Sequence, residues 1–155
     1  MSQPDFAYVT YIETTAEKLW NALTDPELSK QYWWGTRVTS DWKVGSDFAL
    51  VLNGKTTDAG KVLAFERPRR LSYTFQAVLS ETVRAETPSC VSFVLEPNGT
   101  LVKLTLTHDG FAPGSLVLDG ISKGWPAIMS SLKSMLEGGH ALVIPLACLD
   151  IEGVG

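Results

Sequence analysis

Clustered positive charge is what this sequence most plainly lacks. Its 13 lysines and arginines are outnumbered by 17 acidic residues, for a net charge of −4, and only Arg67, Arg69 and Arg70 stand close together. Phosphate backbones are held by grouped cations, so nucleic acid is not an expected partner. Cysteine is nearly absent. Cys90 and Cys148 lack the paired spacing of a zinc site or a redox motif and are read as free thiols filling small apolar places. The longest apolar stretch, Ala141 to Leu149, is broken by Pro145 and too short to cross a bilayer. No basic segment leading into an apolar run opens the chain, so no secretory signal is read there and a cytoplasmic location is expected. Nucleophile elbows, P-loops, dinucleotide fingerprints and zincin helices are all missing, and neither metal nor cofactor is expected. Internal repeats and low-complexity segments are missing too.

What is present suits one globular body: 155 residues, 45% of them hydrophobic, with five tryptophans. Phe6 to Glu13 is rich in β-branched and aromatic residues and predicts a first strand. Thr14-Thr15-Ala16-Glu17 offers a capping box, with the Thr14 hydroxyl and the Glu17 carboxylate three apart, for a helix over about 15–23. Asp25-Pro26-Glu27 supplies an N-cap, a proline at the first helical position and an acid for a second short helix ending near Tyr32.

From Thr36 onward the pattern is an antiparallel meander. Asn53-Gly54 and Asn98-Gly99 suit turns with positive φ, the latter a better reading than the glycosylation sequon it also spells. Alternating Phe48, Leu50 and Leu52, then Val91, Phe93 and Leu95, then Val102, Leu104 and Leu106 predict strands with one inward face. Glu66-Arg67-Pro68-Arg69 reads as a tight turn. Ala77 to Pro88, polar and acidic, reads as a mobile connection.

A helix then carries Trp125, Ile128, Met129, Leu132, Met135 and Leu136 on one face. It either starts before Ile121 and contains Pro126 at a kink, or starts at Pro126; the first is favoured here. Gly138-Gly139 ends it. The expected organisation is one domain over 1–138 and a hydrophobic tail over 139–155 that lies on the body or on a partner subunit. The expected architecture is α+β: a bent antiparallel sheet of six or seven strands, two short helices after the first strand, and a long C-terminal helix over the sheet.

With these elements in order, particular words of the chain resemble a known family. Tyr11 through Glu27 is similar to the opening of the activator of heat-shock-protein-90 ATPase homologue family, a branch of the START-like (SRPBCC) superfamily that includes polyketide cyclases and plant lipid-binding allergens. Ser40-Asp41-Trp42-Lys43-Val44-Gly45-Ser46, Gly60-Lys61-Val62 with Arg67-Pro68-Arg69-Arg70-Leu71, Leu104 through His108, and Gly124-Trp125-Pro126 with Leu136-Glu137-Gly138 match further on. The resemblance spans about residues 6 to 138 and implies a helix-grip fold with a cavity between sheet and helix. Such motifs mark the scaffold more than a catalytic set.

The function expected first is therefore binding of a small hydrophobic or amphipathic molecule. Candidate lining residues are Leu50, Val62, Tyr73, Phe75, Phe93, Leu104, Leu106 and His108 on the sheet, with Trp125, Met129 and Leu132 on the helix. Period two turns His108 inward with Leu104 and Leu106. There it is either an acid, base or ligand contact, or a histidine tied to a backbone or tyrosine oxygen. Trp33, Trp34 and Trp42 are either an aromatic rim or a satellite core under the short helices.

An empty apolar void of roughly 300 Å³ would cost ~7 kcal/mol, which rivals a domain's whole stability, so the cavity is expected to be small, wet, collapsible or filled. Two alternatives stand beside ligand binding. One is regulation of a chaperone ATPase, which the resemblance implies, although the eukaryotic activators carry a further domain. The other is a cyclase- or dehydratase-like enzyme using His108 with a tyrosine such as Tyr73, less expected because convergent titratable groups are lacking. A homodimer through the tail or a sheet face is also expected.

Overall fold

A computed structural model describes residues 4–145. Seven antiparallel strands form one sheet in the order β1-β7-β6-β5-β4-β3-β2: β1 (Phe6–Ile12), β2 (Arg37–Ser40), β3 (Asp47–Leu52), β4 (Lys55–Glu66), β5 (Arg70–Ala77), β6 (Ser89–Asn98) and β7 (Leu101–Asp109). Helices α1 (Ala16–Thr24) and α2 (Pro26–Tyr32) connect β1 to β2, across the full width of the sheet. The long helix α4 (Leu116–Gly138) packs its apolar stripe against the inward face. This is the expected α+β helix-grip architecture, with seven strands.

Local chemistry accounts for most boundaries. Asn53 and Gly54, with φ of 52° and 77°, form the two-residue turn between the paired Leu52 and Lys55. Asp25 caps α2 by accepting from the Glu27 amide at 2.8 Å. Gly139, at φ 83°, ends α4. Helix α4 begins at Leu116 under the Ser115 cap and holds Pro126 in its interior, so the longer of the two expected helices forms.

Three local expectations are corrected. The cap of α1 is Thr15, whose Oγ1 accepts from the Lys18 amide at 3.2 Å. Thr14 is one residue too early because its amide is drawn into a tight turn onto the Ile12 carbonyl, and Glu17 pairs with Arg67. The turn after β6 is Gly99-Thr100, since Asn98 still pairs with Leu101. The 77–88 connection is structured: α3 (Glu81–Arg84) forms under a Ser80 cap, and the Gln76 amide donates to the carbonyls of Arg84 and Glu86.

Past α4, the Leu142 amide donates to Ser131 Oγ at 3.2 Å, and its carbonyl accepts from Trp34 Nε1 at 2.8 Å. The start of the tail thus lies on the body. The rest of the apolar run, 146–149, and Cys148 within it lie outside the described residues. Cys90 is a free thiol.

Candidate functional site: the interior between α4 and the sheet

Alternation along the strands turns Leu50, Val62, Tyr73, Phe75, Phe93, Leu104, Leu106 and His108 inward, and helical spacing turns Trp125, Met129 and Leu132 toward them. All eleven are buried. A small void remains beneath α4, bounded by Trp33, Phe75, Gly120, Ile121, Gly124, Trp125 and Ile128. Its volume is about 10 Å³, near the threshold for one water molecule. Phe75 and Trp125 border it, while the other nine expected residues lie in the core around it. Sequence reasoning did not assign Gly120, Ile121, Gly124 and Ile128 to this wall. The signal was there: two glycines four apart on an otherwise bulky helix face leave a groove.

Trp33 belongs to the core rather than to a rim, only 5% exposed and 5.4 Å from Trp125 between ring centroids. Trp34 and Trp42 are partly buried against the same core. Both have left-handed backbones, with φ of 47° and 57°. Each indole is also tied down, Trp34 to Leu142 and Trp42 to the Thr24 carbonyl at 3.1 Å.

His108 is fully buried and has both nitrogens occupied. Trp125 Nε1 donates to its Nδ1 at 3.1 Å, which leaves the ring proton on Nε2. Nε2 then donates to Ser89 Oγ at 2.7 Å, and the Ser89 hydroxyl donates to the Phe75 carbonyl at 3.2 Å. Burial lowers its pKa to about 3, against a weak opposing pull from the Asp5 charge. The ring is neutral, and its polar atoms are taken up by the chain. Its ring neighbours are Phe75, Phe111 and Trp125, whereas Tyr73 stacks on Phe48 with centroids 3.8 Å apart.

A polar group that the sequence did not announce lies deeper. Strand β4 carries a bulge: Leu50 pairs with Asp58 and Val51 with Thr56, so Thr57 is an extra residue. The bulge leaves two consecutive side chains, Thr57 and Asp58, buried where alternation would bury one. Thr57 Oγ1 donates to Asp58 Oδ2 at 2.8 Å, while Oδ1 has no partner. Asp58 sits in an inward row across four strands, Val38, Leu50, Asp58 and Ala77, otherwise wholly apolar. Burial raises its pKa to about 7, with the Thr57 hydrogen bond pulling the other way. The Tyr73 hydroxyl is raised well above its usual value, first by burial and then by the nearby Tyr32 and Asp58.

The indole N–H of Trp33, a residue of the void wall, is likewise buried without a partner, as is that of Trp20. Among the described residues, no group of histidine, cysteine and acidic side chains comes together in a way that could hold a metal, and no helix is long and apolar enough to cross a membrane.

Comparison with known proteins adds a family to this geometry. Among curated proteins no relative matches the sequence. Protein MLL2253 from Mesorhizobium loti is 29% identical with a TM-score of 0.70, over 84% of this chain and 96% of that one. The Aha1 dimer from Colwellia psychrerythraea is 22% identical with a TM-score of 0.70, over 86% and 96%. PFC0360w from Plasmodium falciparum, described as an HSP90 activator, is 21% identical with a TM-score of 0.65, over 77% and 86%. The last two likenesses concern the fold alone. The family model for activator of Hsp90 ATPase homolog 1-like proteins matches residues 13–137, from the end of β1 to the last turn of α4, and the chain belongs to that family.

Proposed function

We propose that this protein binds a small amphipathic molecule between α4 and the sheet, and that the interior opens to admit it. The observation that carries this reading is the wall of the void. Trp33, Phe75 and Trp125 supply aromatic faces, Gly120 and Gly124 leave room on the helix, and the Trp33 N–H stands without an acceptor. A buried donor left unpaired costs about 1–3 kcal/mol, so an acceptor that reaches it is favoured. A void near 10 Å³ makes this a closed state that a ligand must expand. The test is native mass spectrometry of gently purified protein. An adduct released on denaturation gives the ligand mass, and a clean apo mass with no stabilisation by an apolar ligand panel overturns the reading.

A second reading is regulation of a chaperone ATPase, supported by the family match and by the likeness to a protein described as an HSP90 activator. Stimulated ATPase turnover of a heat-shock-protein-90 chaperone on addition of this chain would favour it over ligand binding. The relative described as a dimer also supports a homodimer, which light scattering decides.

A further inference from the structure

Asp58 is unusual in this interior because its surroundings are built to keep it there. The β4 bulge turns it inward, and Thr57, the extra residue, supplies one hydrogen bond to Oδ2. Leu50 and Ala77 flank it on the neighbouring strands and give Oδ1 nothing. Phe75, two residues from Ala77 on the same face, borders the void under α4. An acidic side chain in an apolar row is expensive to retain for packing alone, and leucine or valine would fill the place without penalty.

We propose that Asp58 is the polar anchor of the binding site: its free Oδ1 receives the O–H or N–H of a ligand whose apolar body lies against Phe75, Trp33 and α4. This rests on the binding reading above and names the ligand class, a hydrophobic molecule with a hydrogen-bond-donating head, such as a phenol, an alcohol or an amine. One oxygen held by Thr57 and one left open favours a single donor. The elevated carboxyl pKa agrees with an acid kept from water.

The test uses two probes of one shape, 2-naphthol, which donates, and 2-methoxynaphthalene, which only accepts. Binding is read by tryptophan fluorescence in mildly alkaline buffer, where the carboxylate is ionised. Wild-type protein is expected to prefer 2-naphthol about tenfold or more, the usual worth of a hydrogen bond to a charged acceptor. Asp58→Leu is expected to bind both probes equally. Asp58→Asn, whose amide nitrogen would replace Oδ1, is expected to lose or reverse the preference, and it decides the matter should the leucine variant fold poorly. Equal binding of both probes by wild type and by the variants overturns the anchor while the binding reading stands. If neither probe binds wild type, the anchor as stated falls, while the binding reading is decided by the native mass spectrum and the ligand panel.

Discussion

Trp125 on α4 and His108 on β7 are joined by one hydrogen bond, from the indole N–H to the imidazole Nδ1 at 3.1 Å. It ties the middle of the long helix to the last strand through two fully buried rings, and Ser89 completes the imidazole's bonding on the other side. The pair is a structural joint, with both imidazole nitrogens bonded within the chain.

A neutral joint has a defined pH signature. His108 titrates near 6.5 unfolded and near 3 folded, so between those values the unfolded chain binds more protons and stability falls as pH falls. The stability contributed is fully present above about 6.5 and is lost on the way down to about 3. In an NMR titration the His108 ring should show no protonation between pH 8 and about 4.5. A midpoint near 6 would mean that the ring is solvated and the joint open.

Asp58 has the opposite sign. Its folded pKa is raised from 3.8 to about 7, so the native state holds the proton more tightly and stability falls as pH rises between those values. Above about pH 7 the buried carboxylate is a standing cost. Asp58→Asn removes it, and should stabilise by an amount on the order of 2–4 kcal/mol at pH 8 and by almost nothing at pH 4. Denaturant melts at the two pH values measure this directly. An equal effect at both would show that the gain comes from packing. A residue whose replacement stabilises the fold is one retained for another reason.

Neither buried acid nor void was as visible in the sequence as the fold. The Asn53-Gly54 turn, the Asp25-Pro26 helix start and the amphipathic α4 are local signals, set by backbone preferences and side-chain period, and they placed the elements within a residue or two. Asp58 was invisible for a physical reason. In Thr56-Thr57-Asp58-Ala59 nothing marks a bulge, which exists only because β3 pairs with β4 one residue out of step, a property of two strands together. The inward set of apolar residues was legible from alternation. How tightly those residues close depends on the simultaneous packing of Phe48 on Tyr73 and of Trp33 on Trp125, which no single segment encodes.

Gly60, next to Asp58 on the inward face, is required by contact with the neighbouring strand. A Cβ built there would stand 1.9 Å from the Thr74 carbonyl oxygen, and the Lys61 amide bonds Thr74 Oγ1 at 2.8 Å. Backbone cannot retreat as a flexible side chain can. Gly60→Ala should cost about 3 kcal/mol or more, beyond the ordinary range of single substitutions. A loss under about 1 kcal/mol in urea melts would mean that β4 and β5 separate there without penalty.

Glu86 holds the N-terminal end of α4. Its carboxylate accepts from the Ser115 hydroxyl and from the amides of Leu116 at 2.9 Å and Val117 at 3.4 Å, satisfying donors that a helix start leaves open and placing negative charge at the positive end of the dipole. The same turn of the helix leads to Gly120 and Ile121 at the void. Removing the clasp should therefore loosen the wall before it unfolds the domain. Glu86→Ala is expected to cost about 1–2 kcal/mol, a few degrees in Tm. Amide exchange at Leu116 and Val117 should rise well before that at Leu132, and 2-naphthol should enter faster. Faster exchange spread evenly along α4 would instead show that the helix opens as one unit and that Glu86 gates nothing.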